Sequence, residues 1–271
     1  MMSLGEVKVR SEPCEPPGHL SPSSISTWLQ CPLRFKLGRI DRIPEASTEA
    51  QILGSYTHEI LEHLYLMEPQ DRSIEASRFL AKKLWDEKWS DEVASLHLSL
   101  EQERLFRWNV WWCVEALFRM EDPTTTQLGG TEQRLEVQLD RFKLIGILDR
   151  WSPEGDGTVL ISDYKTGKKP RPKYEAEKKF QLAIYTHLVQ TSLDLEVSCT
   201  ELLYLKEGIR WKFAPTAQYV ESVLETVSSV SEELVQSCAS GAFTAKPAKL
   251  CDWCSFKGIC PAWNPSSQGT L

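Results

Sequence analysis

The stretch from Gly146 to Gly167, G-I-L-D-R-W-S-P-E-G-D-G-T-V-L-I-S-D-Y-K-T-G, constrains this chain more than any other. It reads as two short strands joined by a polar turn, with Asp149 at the end of the first and Asp163 and Lys165 at the end of the second. Side chains alternate faces along a strand, so Asp163 and Lys165 share one face and Tyr164 takes the other. Two carboxylates and a lysine then meet at one rim. Hard divalent cations take carboxylate oxygens, and a metal held there can polarise a phosphate and acidify an attacking water. A neighbouring lysine can position that water or stabilise developing charge. A solvated hairpin end carries the same local text, so the rest of the chain has to decide between the two.

A chain of 271 residues with 41% hydrophobic and 25% charged residues has room for one large globular domain, with or without appendages. The net charge of −7 weighs mildly against a nucleic-acid partner, although a local groove can be basic and a cluster of acidic ligands itself lowers the pI. No apolar run reaches the length of a membrane span, and the first residues lack an apolar signal core. These features predict a cytoplasmic protein with no membrane partner.

Residues 1–19 are polar, proline-broken and without periodicity, and are expected to be a disordered lead containing Cys14 as a bystander. Residues 20–271 are expected to form one domain. Ser21 caps a first helix that carries Ile25, Trp28 and Leu29 and ends at Cys31. Gly54-Ser55-Tyr56-Thr57-His58 opens another helix, placing His58 in its first turn or two, where it is either a packing residue or a metal ligand. A helical insertion covers about 70–122 and holds Trp85, Trp89, Trp108, Trp111 and Trp112, which helical spacing assigns to a core in preference to base stacking.

From Gly129-Gly130 the period becomes two, giving a three-stranded antiparallel meander through Asp163, with Glu132 or Glu136 able to face the rim. A basic loop, T-G-K-K-P-R-P-K, follows Lys165 and either touches phosphate or is merely solvated. A helix over about 174–190 brings Gln181 and Tyr185 onto one face, two strands occupy 197–213, and a last helix spans 216–240. Cys113, Cys199 and Cys238 are expected to be structural thiols.

Eight cysteines in such a chain point to metal or cluster binding where they group together. They do so at Cys251, Cys254 and Cys260, a C-x2-C-x5-C run followed by Pro261, in a tail of about 246–263. Three thiolates need a fourth ligand to close a zinc or iron–sulfur site, and Cys31, also followed by proline, is the candidate.

Taken in order, Cys31, G-S-Y-T-H, G-I-L-D-R, D-Y-K-T-G, Q-L-A-I-Y and the terminal cysteines resemble the RecB-like branch of the PD-(D/E)XK nucleases over residues 21–263. The similarity is greater to members with an iron–sulfur staple, such as the CRISPR-associated single-domain nucleases and the AddB nuclease domain. The resemblance implies an α/β, restriction-endonuclease-like mixed sheet core flanked by helices, with a helical insertion and a C-terminal iron–sulfur clip.

By the same resemblance, His58, Asp149, Asp163 and the Tyr164 carbonyl would bind Mg²⁺ or Mn²⁺, with Glu132 as an upstream acidic residue. Lys165 would orient the water, and Gln181 and Tyr185 would line the DNA path. Cys31, Cys251, Cys254 and Cys260 would hold a [4Fe–4S] cluster, with zinc as the alternative. The implied activity is a metal-dependent DNA exonuclease on single-stranded or unwound ends, used in repair, recombination or processing and served by a helicase or integrase-type partner. A CRISPR-type end-processing accessory and a non-catalytic iron–sulfur DNA-binding module are the alternatives.

Overall fold

The computed structural model describes residues 6–264, apart from the side chain of Lys173. In chain order its strands are β1 Val7–Arg10, β2 His19–Leu20, β3 Gly130–Leu139, β4 Phe142–Pro153, β5 Val159–Lys165, β6 Val197–Tyr204, β7 Ile209–Phe213 and β8 Ala242–Ala245. The α-helices are α1 Pro22–Gln30, α2 Pro32–Phe35, α3 Glu49–Tyr65, α4 Ile74–Leu84, α5 Ser90–Ala94, α6 Leu100–Met120, α7 Ala176–Leu193 and α8 Ala217–Ser240. This is a mixed α/β chain with a mixed sheet flanked by helices. Two compact units divide it, one of 1–46, 136–146 and 217–271, the other of 47–135 and 147–216.

In the first unit β1 pairs antiparallel with β8, Val7 opposite Ala245 and Arg10 opposite Ala242. Residues 7–10 of the lead, expected to be disordered, therefore form a paired strand. Its V-K-V-R alternation is a short strand whose partner lies far along the chain, beyond the reach of a local reading. Gly241, at φ +65, makes the approach possible, because a Cβ there would sit 1.9 Å from the Ser11 carbonyl oxygen. Cys14 donates its N–H to the Cys238 carbonyl at 3.0 Å, so it belongs to the same lacing. Residues 1–5 of the expected lead lie outside the described residues.

Helix α1 begins as its sequence predicts, with Ser21 and Ser24 exchanging capping-box bonds, and ends at Cys31. Trp28 is buried edge-on against Phe35 and Phe243, and its indole N–H reaches Glu233 of α8 at 3.1 Å.

In the second unit β4 pairs antiparallel with β5, β5 runs parallel to β6, and β6 pairs antiparallel with β7. A parallel neighbour needs a crossover, and α7 supplies it between β5 and β6. Helices α3 and α6 pack together over a core that includes Ile60, Leu64, Phe106, Val114 and Leu117. Helices α4, α5 and α6 fill most of 74–120, and the tryptophans there divide. Trp89 is buried, whereas Trp108 and Trp112 are exposed, because the core stripe of α6 is already filled by Phe106, Val110, Cys113, Val114 and Leu117.

Candidate active site

Helix α3 starts earlier than its G-S-Y-T-H run suggests, at a Thr48–Gln51 capping box, so His58 stands in mid-helix and not near its start. Gly54 lies inside this helix, where a Cβ would come within 3.4 Å of Thr166 Oγ1 in the loop after β5. The close approach carries His58 to the end of β5. Its Nε2 pairs with the Tyr164 carbonyl at 3.1 Å, and its Nδ1 faces Asp149 Oδ2 at 3.5 Å and Glu132 Oε1 at 3.7 Å. An imidazole whose Nε2–H is donated to a carbonyl leaves Nδ1 as the coordinating nitrogen.

Asp149 is buried near the middle of β4. The Tyr164 N–H donates to its Oδ2 at 2.6 Å, and the Thr131 hydroxyl donates to its carbonyl at 2.8 Å. Glu132 holds φ at 43°, a left-handed conformation that a side-chain-bearing residue adopts only when its surroundings enforce it. This irregularity near the start of β3 leaves its carboxylate facing His58, with Asp149 beside it. One ligand atom from each of these three residues lies within 4.8 Å of the others. Glu136, the other acidic candidate, instead pairs with Lys143 at 2.7 Å.

Asp163 is 2% exposed. Gln181 Nε2 donates to its Oδ1 at 3.1 Å and to the Tyr185 hydroxyl at 3.0 Å, so α7 braces the carboxylate from behind. Lys165 Nζ stands 2.5 Å from Oδ2, an ion pair without hydrogen-bond alignment, which leaves that buried oxygen with no aligned donor. A carboxylate oxygen in that state, next to the tight His58, Glu132 and Asp149 group, fits a divalent cation. Tyr185 is buried, so it reaches the site through Gln181 and not from an open groove.

Burial works against charge on His58, but the Asp149 carboxylate more than reverses it and pushes the imidazole up to about 10. Burial also disfavours the charge of Asp149, yet His58 and Lys165 together hold it below the ordinary carboxylate range. Asp163 moves up, first through burial and then through repulsion from Asp149, opposed by Lys165. Lys165 stays firmly cationic because Asp163 and Asp149 outweigh its burial. Without a cation, a proton on His58 and the lysine ammonium balance the acidic cluster.

Period two also has a consequence behind these strands that the sequence does not advertise. Arg150, next to Asp149, is buried and pairs bidentately with Glu121, and its Nη2 reaches Ser162 Oγ at 3.2 Å. Ser162 donates to Glu201 at 2.8 Å, and Arg210 joins Glu201 and Glu121, each at 2.9 Å. The R of G-I-L-D-R was the available signal, but the members of its network lie at the end of α6 and on β5, β6 and β7.

In the first unit, Cys31, Cys251, Cys254 and Cys260 line one cavity of about 180 Å³ together with Leu33, Leu37, Phe256 and other residues. Burial pushes the Cys254 and Cys260 thiols up, and Cys31 is near enough to both to raise them further.

The arrangement matches a known pattern. The profile of the PD-(D/E)XK nuclease superfamily fits residues 19–261. The chain belongs to the PD-(D/E)XK nuclease superfamily. Nucleases of this superfamily use divalent metals, and the His58, Glu132 and Asp149 group is suited to one. The chain is similar to the Gene 69 protein of Mycobacterium phage L5, 23% identical with 90% of this chain and 96% of the relative covered. The Gene 69 protein of Mycobacterium phage D29 is 22% identical over the same shares of the two chains. A crystal structure described as a "putative exonuclease" from Eubacterium rectale has the same fold, with a TM-score of 0.59, 15% identity, and 88% of this chain and 87% of that one covered. Among the described residues, no helix is long and apolar enough to cross a membrane.

Proposed function

We propose that this PD-(D/E)XK nuclease is a divalent-metal-dependent DNA exonuclease of the RecB-like branch, acting on single-stranded or unwound ends. The observation that carries the reading is the convergence of His58, Glu132, Asp149, Asp163 and Lys165, braced by Gln181, where the middle of β4 meets the end of β5. His58 Nδ1 and the carboxylates of Glu132, Asp149 and Asp163 would hold Mg²⁺ or Mn²⁺. The Tyr164 carbonyl, which already accepts from His58, has a second lone pair for the same ion. When bound, the ion supplies charge stabilisation for the phosphate and lowers the pKa of a water.

The protein's own groups do the rest. Gln181 fixes the Asp163 carboxylate, the Tyr164 N–H fixes that of Asp149, and the Lys165 ammonium is placed to orient a water or stabilise the negative charge of the transition state.

The four cysteines are assigned to a [4Fe–4S] cluster. A cavity of about 180 Å³ bordered by four thiols suits a polyatomic cluster better than a bare zinc ion, which needs no such space. The cluster would clip α1 to the tail that follows β8. Repair, recombination or end processing alongside a helicase or integrase-type protein is the setting this activity fits.

The test is digestion of 5′- and 3′-end-labelled single- and double-stranded DNA with Mg²⁺ or Mn²⁺ by anaerobically purified protein. Stepwise shortening from one end of the single strand supports the reading. Internal cuts alone, or equal attack on closed circular duplex, would remove the exonuclease assignment.

A further inference from the structure

Helix α6 carries Arg104, Trp108 and Trp112 four residues apart, with Arg119 two turns further on, all on one exposed face. Trp108 is 60% exposed and Trp112 40%, although the opposite stripe of the helix is buried to completion. These indoles are therefore not unfinished core. The Arg119 guanidinium lies 4.8 Å from the centre of the Trp112 ring, and it also bonds Glu115, an acidic neighbour on this face, at 3.1 Å.

The ridge leads to the catalytic edge of the sheet. The Trp112 indole N–H donates to the Lys206 carbonyl at 3.3 Å, in the turn that follows β6. Tyr204, at the end of β6, is the register partner of Lys165. In the same turn Glu207 accepts the Lys169 N–H at 2.6 Å, which ties down the basic loop that leaves Lys165 with Lys168 and Arg171 exposed. Two flat aromatic faces, flanked by arginines, thus continue from a basic loop that begins at the active-site lysine.

We propose that the Trp108–Trp112 ridge is a stacking track for the bases of single-stranded DNA whose backbone runs over the Lys168–Arg171 loop to the metal site. The proposal rests on the nuclease reading above and adds the route of the strand. In a duplex the base faces are covered by their neighbours, whereas a single strand offers them to indoles regardless of sequence. The cations of the loop and of Arg104 and Arg119 complement the phosphates between stacked bases. A protein docked on an apolar face would have no use for the continuity with that loop.

The test is equilibrium binding in EDTA, so that cleavage does not enter, of a dT oligonucleotide and an abasic oligonucleotide of equal length. Wild type is expected to bind dT about tenfold or more tightly than the abasic strand. Trp108→Ala/Trp112→Ala is expected to lose that preference while keeping the salt-dependent affinity for the abasic strand. Trp108→Phe/Trp112→Phe, which keeps flat rings, is expected to retain most of it, and its retention separates stacking from misfolding. Equal wild-type binding of the two strands overturns the proposal, as does unchanged dT affinity in the alanine variant, which would assign the ridge to a protein partner. Hydrolysis of thymidine 5′-(p-nitrophenyl phosphate), too small to reach the ridge, reports on the nuclease reading separately. Its absence together with absence of metal-dependent digestion of the labelled single strand would overturn that reading and leave the binding comparison standing.

Discussion

At the scale of single residues, His58 makes the most exposed commitment. With Asp149 beside it, the imidazole holds its proton up to about pH 10 in the metal-free protein. A cation at Nδ1 has to displace that proton. Metal binding between pH 6 and 8 is therefore expected to release close to one proton per ion and to strengthen by about tenfold per pH unit, as measured by Mn²⁺ calorimetry in buffers of different ionisation enthalpy. Binding that is independent of pH, with no proton released, would contradict the placement. The sign for stability is the opposite one. Because the folded value lies above the ordinary 6.5, this pair stabilises the metal-free fold fully below about pH 6.5 and loses that contribution as pH rises through about 10. Gly129 is a second single-residue test, since a Cβ there would meet the Trp151 ring at 2.1 Å. Gly129→Ala is expected to cost about 1–3 kcal/mol in a denaturant titration.

Among elements, β4 and β5 show what a sequence can and cannot announce. Their alternation puts Asp163 and Lys165 on one face, and the structure pairs them at the end of β5, whereas Asp149, expected at a strand end, lies near the middle of a β4 longer than its sequence suggests. The end of α1 at Cys31 and the positions of β6, β7 and α8 were legible for the same reason, strong periodicity with clear caps. What escaped the periodicity were features set by partners distant in sequence or by how the core fills. β1 needs β8, the choice of Glu132 over Glu136 depends on a left-handed residue within β3, and the exposure of Trp108 and Trp112 follows from how much core α6 can fill. The Arg150 network belongs here too. With one side of β4 and β5 given to the site, the other is locked by Arg150, Glu121, Ser162, Glu201 and Arg210. Removing one member of a buried ionic group leaves its partners uncompensated. Arg150→Met is expected to lower stability by about 3 kcal/mol in urea unfolding, with Arg150→Lys recovering part of it. A loss below about 0.5 kcal/mol would show the network to be dispensable.

At the scale of the whole molecule, the cysteine cavity and the reaction centre fall in different compact units. The cysteine cavity, β1 and β8 belong to one compact unit, and His58, Asp149, Asp163 and Lys165 to the other. If the four cysteines hold the proposed [4Fe–4S] cluster, Cys31→Ala is expected to speed hydrogen exchange in β1, β8 and the tail and to remove the cluster's visible absorbance, while Mn²⁺ affinity stays within about twofold. Full retention of that absorbance would remove Cys31 from the ligand set. The central claim concerns the other unit, and its most direct test is hydrolysis of single-stranded DNA with Mg²⁺ or Mn²⁺ by wild type, Asp163→Ala and Lys165→Ala. The account predicts metal-dependent cutting that each substitution reduces by about 10²-fold or more without loss of fold. Cutting that survives both substitutions, or wild-type protein that binds DNA and cuts under neither metal, would contradict it.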